Sequence, residues 1–479
     1  MDLAAAILFL VLYFIRPHDW IPGLSGLNIM RPVMAFGFFA LMSRREGILP
    51  NGWRSLFRSP VDWAVYSYAA WILITTPGLV DTFSEIFSLV SFYFLTTQAL
   101  TSHERTRIYL KWWFGCLIAI SLLALGSLVG IDITQAKEIT EFNKGRLCLN
   151  TWMLDNPNAL GHTVIVGLPL AYFLLFWKGN IFNRTMAFVW GAVCFFCVFK
   201  TESKGAALSG FIAFCGSWLF GRPKIVQILA GGVMFLMSGT ALSLMPRMNE
   251  MSSLQTDEAV LGRVMAWELA RTSFRNNPNG VGYRKFVSYI TYQQQVIRKP
   301  PHSSYIQIAA DLGAPGLFIY LLIIVAAIFV LIRLKGTSEL AERNRRIWFA
   351  LLLAFICSSW VVQRPYHTEF FLIMGGISSY FVIEAARRQE ARNAALAAAL
   401  EAESRALDEA ALAEERTPET AKPARRPRRR IQWLSPAFVQ GREQLGRLLP
   451  LRPGWREFAF AAIYYSAVIA VWDYVLEHF

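Results

Sequence analysis

Eight cations crowd residues 246–303: Arg247, Arg263, Arg271, Arg275, Arg284, Lys285, Arg298 and Lys299, against Glu250, Asp257, Glu258 and Glu268. Arginine predominates, and its planar fork suits bidentate contact with phosphate oxygens. A solubilising face, or ion pairing with those acids, would account for the same composition. Arg263 is the sharpest member. Gly262-Arg263 opens an amphipathic stretch from Val264 to Phe274. At helical spacing Arg263, Trp267 and Arg271 share one face. A helix start adds unpaired backbone N–H groups and a positive dipole end, both suited to an anion. Asn277-Pro278-Asn279-Gly280-Val281-Gly282 then ends the helix with turn formers that let backbone approach a ligand.

Pro300-Pro301-His302-Ser303-Ser304-Tyr305-Ile306-Gln307 follows, and then Asp311-Leu312-Gly313-Ala314-Pro315-Gly316-Leu317. An imidazole titrating near neutrality can accept a hydroxyl proton, which makes His302 a candidate general base. A lone histidine is more often a hydrogen-bonded structural residue; the basic cluster beside it favours chemistry. Two further elements carry ionisable groups at helix ends, where such groups are functional candidates by default. Arg146 stands upstream of Asp155-Asn156-Pro157-Asn158, with His162 just inside the next helix, and Lys204 lies in Thr201-Glu202-Ser203-Lys204-Gly205. Arg364, His367 and Glu369 form a weaker set, read as structural. Cys194 and Cys197 make a C-x-x-C inside an apolar block, where they read as packing residues. No acidic cluster invites a metal, and no cofactor is expected.

The elements that must hold these residues are membrane helices. Of 479 residues, 55% are hydrophobic and 17% charged, with a formal net charge of +14. A soluble chain of this length would need more charge to cover itself. The apolar residues come in blocks, several near the roughly 20 residues that cross a bilayer core. Trp112, Trp113 and Trp360 lie at block ends, where interfacial rings belong. The spacing predicts an all-α polytopic protein with helices near 3–15, 28–42, 61–78, 84–101, 107–129, 158–176, 185–199, 205–220, 225–245, 304–332, 347–362 and 369–386. That is about 12 transmembrane helices. Leu3 to Ile15 lacks a basic leader and a cleavage site, and reads as an uncleaved first helix. Arg16-Pro17-His18-Asp19-Trp20 suits a re-entrant turn.

Alternate loops are basic: Arg44, Arg45, Arg54 and Arg58; Arg105, Arg107 and Lys111; Lys178 and Arg184; Arg222 and Lys224; Arg333, Lys335, Arg343, Arg345 and Arg346. Basic loops stay cytoplasmic, so the N-terminus is cytoplasmic, and 130–157, 200–204, 246–303 and 363–368 face outward. The outward segment 246–303 is basic against this rule, so something must require its charge. Residues 1–386 therefore form one transmembrane domain. Residues 387–416 read as a solvated Ala/Glu/Arg helix of about 45 Å. A basic linker to 430 follows, either lipid-binding or simply solvated. Segment 431–479 holds an apolar helix over 457–477, a thirteenth span or an interfacial helix. No internal repeat is evident, which argues against a transporter of inverted halves.

In this order, Arg146 with Asn156-Pro157-Asn158, Thr201 to Gly205, Gly262-Arg263 with Trp267, Asn277-Pro278 with Gly280-Val281-Gly282, and His302-Ser303 through Leu317 resemble the O-antigen ligase and polymerase superfamily, whose shared region is the Wzy-C domain. The resemblance covers about 140–385. It implies a GT-C-like bundle in the bacterial inner membrane, with a periplasmic loop over a lateral lipid opening. The implied reaction moves a glycan from undecaprenyl diphosphate to an acceptor, such as lipopolysaccharide core or protein. Arg263, with Arg146, Lys204 and Arg271, would hold the diphosphate, and His302 would orient or deprotonate the acceptor hydroxyl. Asn156, Asn158, His162, Trp267 and Arg364 are secondary candidates. The family often has Arg where this chain has Lys204. A ligase is the leading expectation, a polymerase on the same carrier the close alternative, and a transporter of anions or lipid-linked sugars the contrasting one. Membrane lipids are expected partners, and nucleic acid is not.

Overall fold

The computed structural model describes all residues except 25, 28, 45–51, 152, 244–257, 293–299, 416–450 and 479. Arg45, Arg247, Glu250, Asp257, Arg298, Lys299 and the basic linker at 423–430 therefore lie outside the described residues. The described chain is helical, with no strand among those residues. Its helices are α1 Asp2–Ile15, α2 Pro17–Trp20, α3 Met30–Met42, α4 Pro60–Thr75, α5 Leu79–Ala99, α6 His103–Leu128, α7 Ala136–Phe142, α8 Pro157–Val164 and α9 Gly167–Ala171. They continue with α10 Ile181–Thr201, α11 Lys204–Leu219, α12 Lys224–Ser243, α13 Glu258–Asn276, α14 Phe286–Tyr292, α15 Ser304–Arg333, α16 Glu339–Ser358, α17 Thr368–Glu415 and α18 Trp455–His478.

Each apolar block becomes a helix, and at several of them a short polar residue marks the beginning. Ser102, Asn180, Ser203 and Ser338 each accept a backbone N–H of the first turn of α6, α10, α11 and α16. At α4 the cap is reciprocal: Ser59 Oγ accepts from Asp62 N at 3.2 Å, and Ser59 N donates to Asp62 at 2.7 Å. The block at 158–176 is not one smooth helix. It runs through α8, α9 and a π turn over Tyr172–Phe176.

Among the described residues, seven helices are long and apolar enough to cross a membrane: Asp2–Trp20, His103–Leu128, Pro157–Phe176, Ile181–Thr201, Ser304–Arg333, Thr368–Glu409 and Trp455–His478. Helices also occupy the other positions expected from the sequence, at α3, α4, α5, α11, α12 and α16, but they are shorter or less apolar over their described residues. α10 exposes Phe182, Phe188, Phe195 and Phe196, a surface suited to hydrocarbon and costly in water.

The single helix expected over 304–332 is broken. Gly313 has φ 68° and ψ −167°, outside the helical region. The rings of Tyr305 and Tyr320 lie 6.2 Å apart. In a straight helix their backbones would stand ~22 Å apart. Ser304–Leu312 therefore folds back against Ala314–Arg333. Gly280, at φ 83°, faces the break; a Cβ there would strike the Asp311 carbonyl, and one on Gly313 would strike Pro278. Glycine is required at both for that reason. Ala314 N donates to Pro278 O at 2.9 Å and Gly282 N to Asp311 O at 2.7 Å, fastening the 277–282 turn to the break. Trp71 Nε1 satisfies the Leu312 carbonyl at 2.9 Å.

Arg44 and Arg105 both pair with Asp2, Asn344 bonds His103 O at 2.9 Å, and Lys178 pairs with Glu339 at 2.8 Å. Those basic loops thus meet one another. The loops predicted to face the other way meet around Arg146, His302 and Arg364.

By contact density the chain divides into Met1–Phe381 with Leu451–Phe479, and Val382–Pro450. The described part of the second unit is the helical continuation of α17 to Glu415, with Leu396, Leu400 and Leu407 exposed.

Candidate active site

Arg146 follows α7 and ties two elements together. Its Nε donates to Thr201 O at 3.1 Å, and its Nη2 donates to Asn158 Oδ1 at 2.8 Å. Asn156 caps α8, accepting Asn158 N at 2.9 Å, with Pro157 in the first turn. Arg146 therefore fixes the start of α8 against the end of α10. The turn between α10 and α11 is tight. Glu202 adopts φ 51°, Ser203 caps α11, and Lys204 is its first residue, half-buried. Gly205 packs so closely that a Cβ would touch Val361 and the ring of His162, which is buried beneath it.

His302 lies between buried Pro301 and Ser303, with φ 49°. A left-handed histidine is strained by about 1–2 kcal/mol and persists only where its surroundings hold it. Ser304 supplies much of that hold. Its N donates to Ser359 O at 2.7 Å and its Oγ to Val362 O at 2.8 Å, while the Oγ accepts Arg364 N at 2.9 Å. Trp267 secures the other side, donating Nε1 to Pro301 O at 2.6 Å. Arg263 lies one turn before Trp267 on the same face of α13, half-buried.

These straps enclose a cavity of about 280 Å³ lined by Asn156, Asn158, His302, Gln363, Arg364 and His367 among others. Arg364 is 2% exposed. It donates to Glu369 at 3.0 Å, to Ala159 O at 2.5 Å and to Thr163 Oγ1 at 2.7 Å. A second cavity of about 230 Å³, lined by Tyr13, Glu85, Ser88, Tyr283, Arg284 and Tyr366, shares His367 with the first. Burial, then Arg364 and Arg284, push the His367 imidazole down to about 3. It is neutral near pH 7, so it offers a hydrogen bond without charge.

Asn156, Asn158, His302 and Arg364 thus share one cavity. Arg146 adjoins it through Asn158, Lys204 through the Gly205–Val361 packing, and Arg263 through Trp267 and Pro301. His162 sits beneath the cavity and does not line it. Arg271, expected beside Arg263, is engaged elsewhere. Its fork is filled by Asp473 at 2.7 Å on both arms and stacks on Phe274 and Trp472. Sequence reasoning did not name Gln363 or Asp473, and it read Arg364 and His367 as structural; both line the cavity, and Arg364 is also paired with Glu369. The signal for Asp473 was present: an acid inside the apolar stretch from Phe458 to Val475 needs a partner.

A family model described as Wzy_C, O-Antigen ligase, matches residues 187–321, the stretch running from α10 into α15. No curated protein matches the chain. The match bears out the resemblance carried by Thr201 to Gly205, Gly262-Arg263, Asn277 to Gly282 and His302 to Leu317.

Proposed function

We propose that this chain, which carries an O-antigen ligase domain across 187–321, is a polytopic glycosyltransferase. It moves a glycan from undecaprenyl diphosphate to an acceptor hydroxyl at the periplasmic face of a bacterial inner membrane, crossing that membrane about twelve times. One observation carries the reading. A strained His302 and the Arg146-bound Asn158 share a cavity with Arg364, and Arg263 stands one helical turn from the residue that holds Pro301.

The acceptor oxygen attacks the anomeric carbon in line, and the C–O bond to the diphosphate breaks. Its electron pair leaves on the diphosphate oxygen, and the configuration inverts. His302 takes the hydroxyl proton and passes it to solvent. Arg263, with Arg146 and Lys204, meets the charge growing on the diphosphate. One such preorganised donor is typically worth about 10²–10³ in rate, and a general base about 10²–10⁴. Side-chain cations do this without a metal.

Purified protein given carrier-linked glycan and a lipopolysaccharide-core acceptor should release undecaprenyl diphosphate. No release would remove the reading. A polymerase would share all the donor chemistry, so surface glycans of a deletion strain separate the two. Long chains left on the carrier mark a ligase, and single repeat units on the acceptor mark a polymerase.

A further inference from the structure

α18 lies far outside the matched segment, yet it touches the scaffold of the site. It buries Glu457, Ala461, Val468 and Trp472, a single stripe at helical spacing, and turns Phe458, Phe460, Ile463 and Val471 outward. An apolar helix that needed only lipid contact would carry no acids along its length. This one carries Glu457, Asp473 and Glu477, and the first two make ion pairs to other helices: Glu457 with Arg333, and Asp473 with Arg271. Charges in such a setting are costly and need partners. The Arg271–Asp473 pair is half-buried, and its bidentate geometry ties the end of α18 to one position on α13.

The register fixed here is that of α13. Trp472 is fully buried, and its Nε1 donates to Trp267 O at 3.2 Å. Trp267 in turn donates Nε1 to Pro301 O at 2.6 Å, one residue before His302. Arg271, one turn beyond Trp267, is held bidentately by Asp473 and lies over the Trp472 ring at 5.3 Å. On the other flank Tyr464 bonds Tyr305 through their hydroxyls at 2.7 Å, in the short helix that starts after His302. α18 thus grips both elements that carry the proposed chemistry, α13 with Arg263 and the start of α15 with His302.

We infer that α18 is a brace for the active site, with Asp473 and Trp472 as positioning residues that set Arg263 against His302 through Arg271 and Trp267. Neither residue touches substrate; they act through α13. A displacement of about 1 Å at reacting groups costs on the order of 10²-fold in rate, which a loosened α13 would incur. The inference rests on the glycosyltransferase reading for its kinetic consequence, and on geometry alone for the grip itself.

The test uses full-length protein in lipid nanodiscs, with transfer from carrier-linked glycan and backbone hydrogen exchange measured on the same preparations. Asp473→Asn should lower kcat about ten- to hundredfold with donor KM within about threefold, because orientation is lost and binding is kept. Exchange should rise in Glu258–Asn276 and Pro300–Ser304 and stay unchanged in α4 and α6. The double change Arg271→Asp with Asp473→Arg rebuilds the pair in reverse. It should restore most of the rate and the protection, whereas Arg271→Asp alone should not. The brace is refuted if Asp473→Asn keeps kcat within about twofold of wild type. It is equally refuted if the reversed pair does no better than either single change, or if protection falls throughout α4 and α6. If wild-type protein transfers nothing, the glycosyltransferase reading fails, and the exchange pattern alone decides whether α18 holds α13.

Discussion

Replacing Arg364 by Ala isolates what its buried fork does. The guanidinium is 2% exposed and Glu369 is 4% exposed, so the pair is cut off from water. The substitution removes the bonds to Glu369, Ala159 O and Thr163 Oγ1 together and leaves a buried carboxylate without its cation. Breaking a buried pair from one side costs about 3–5 kcal/mol, most of it from the stranded charge. Unfolding entropy of ~2.1 cal/mol/K per residue gives roughly 1 kcal/mol per kelvin for a chain of 479 residues. Arg364→Ala should then lower Tm by roughly 3–5 °C, with reduced membrane levels. The second half of the experiment removes the stranded charge. Arg364→Met with Glu369→Gln should recover at least half the loss, since neutral groups of similar volume replace buried ion pairs at little cost. Fluorescence-detected melting of detergent-purified protein reads both. A Tm for Arg364→Ala within a degree of wild type, or a double variant no more stable than the single one, would show that the pair is not buried as described.

Arg263→Ala and His302→Ala should each cut transfer by about 10²-fold or more while membrane levels stay normal, read by undecaprenyl diphosphate release; near-normal activity in both would remove their roles. Gly313→Ala puts a Cβ into the Pro278 carbonyl at a backbone geometry only glycine adopts readily, so folded yield should fall sharply. Size-exclusion of the detergent extract reports it, and a normal monodisperse peak would contradict the break. His367 has a folded value near 3 against 6.5 for a free imidazole, so between those values the folded state binds fewer protons than the unfolded. Stability from this residue is therefore lost as pH falls below about 6.5, at no more than about 1.4 kcal/mol per unit. His367→Gln should flatten that part of the Tm–pH curve, and an unchanged slope would place the ring in water.

Helix positions were readable because most are apolar blocks, and at α4, α6, α8, α10, α11 and α16 a Ser or Asn side chain caps the first turn. The meeting of Arg146, Asn158 and His302 was readable in outline, since all fall on loops that charge alternation puts on one side. The break at Gly313 was not. Leu312 to Leu317 continues an apolar run, and what splits it is the backbone of Gly280, brought from another segment. Nor could the fate of Arg271 be read locally. Arg271 shares a face of α13 with Arg263, and the Asp473 that holds it comes from 202 residues away. Arg364 read as structural, and the neighbours that bury it, Ala159 and Thr163, come from α8.

The fold-back at Gly313 imposes an order on synthesis. Residues 304–333 emerge from the ribosome as one continuous hydrophobic segment, which an insertion machine would pass as a single span. The carbonyls that strap Ser304, those of Ser359 and Val362, are made only after α16 has been threaded. A chain stalled before Ser359 would hold the whole matched segment and still lack both carbonyls that strap the residues beside His302.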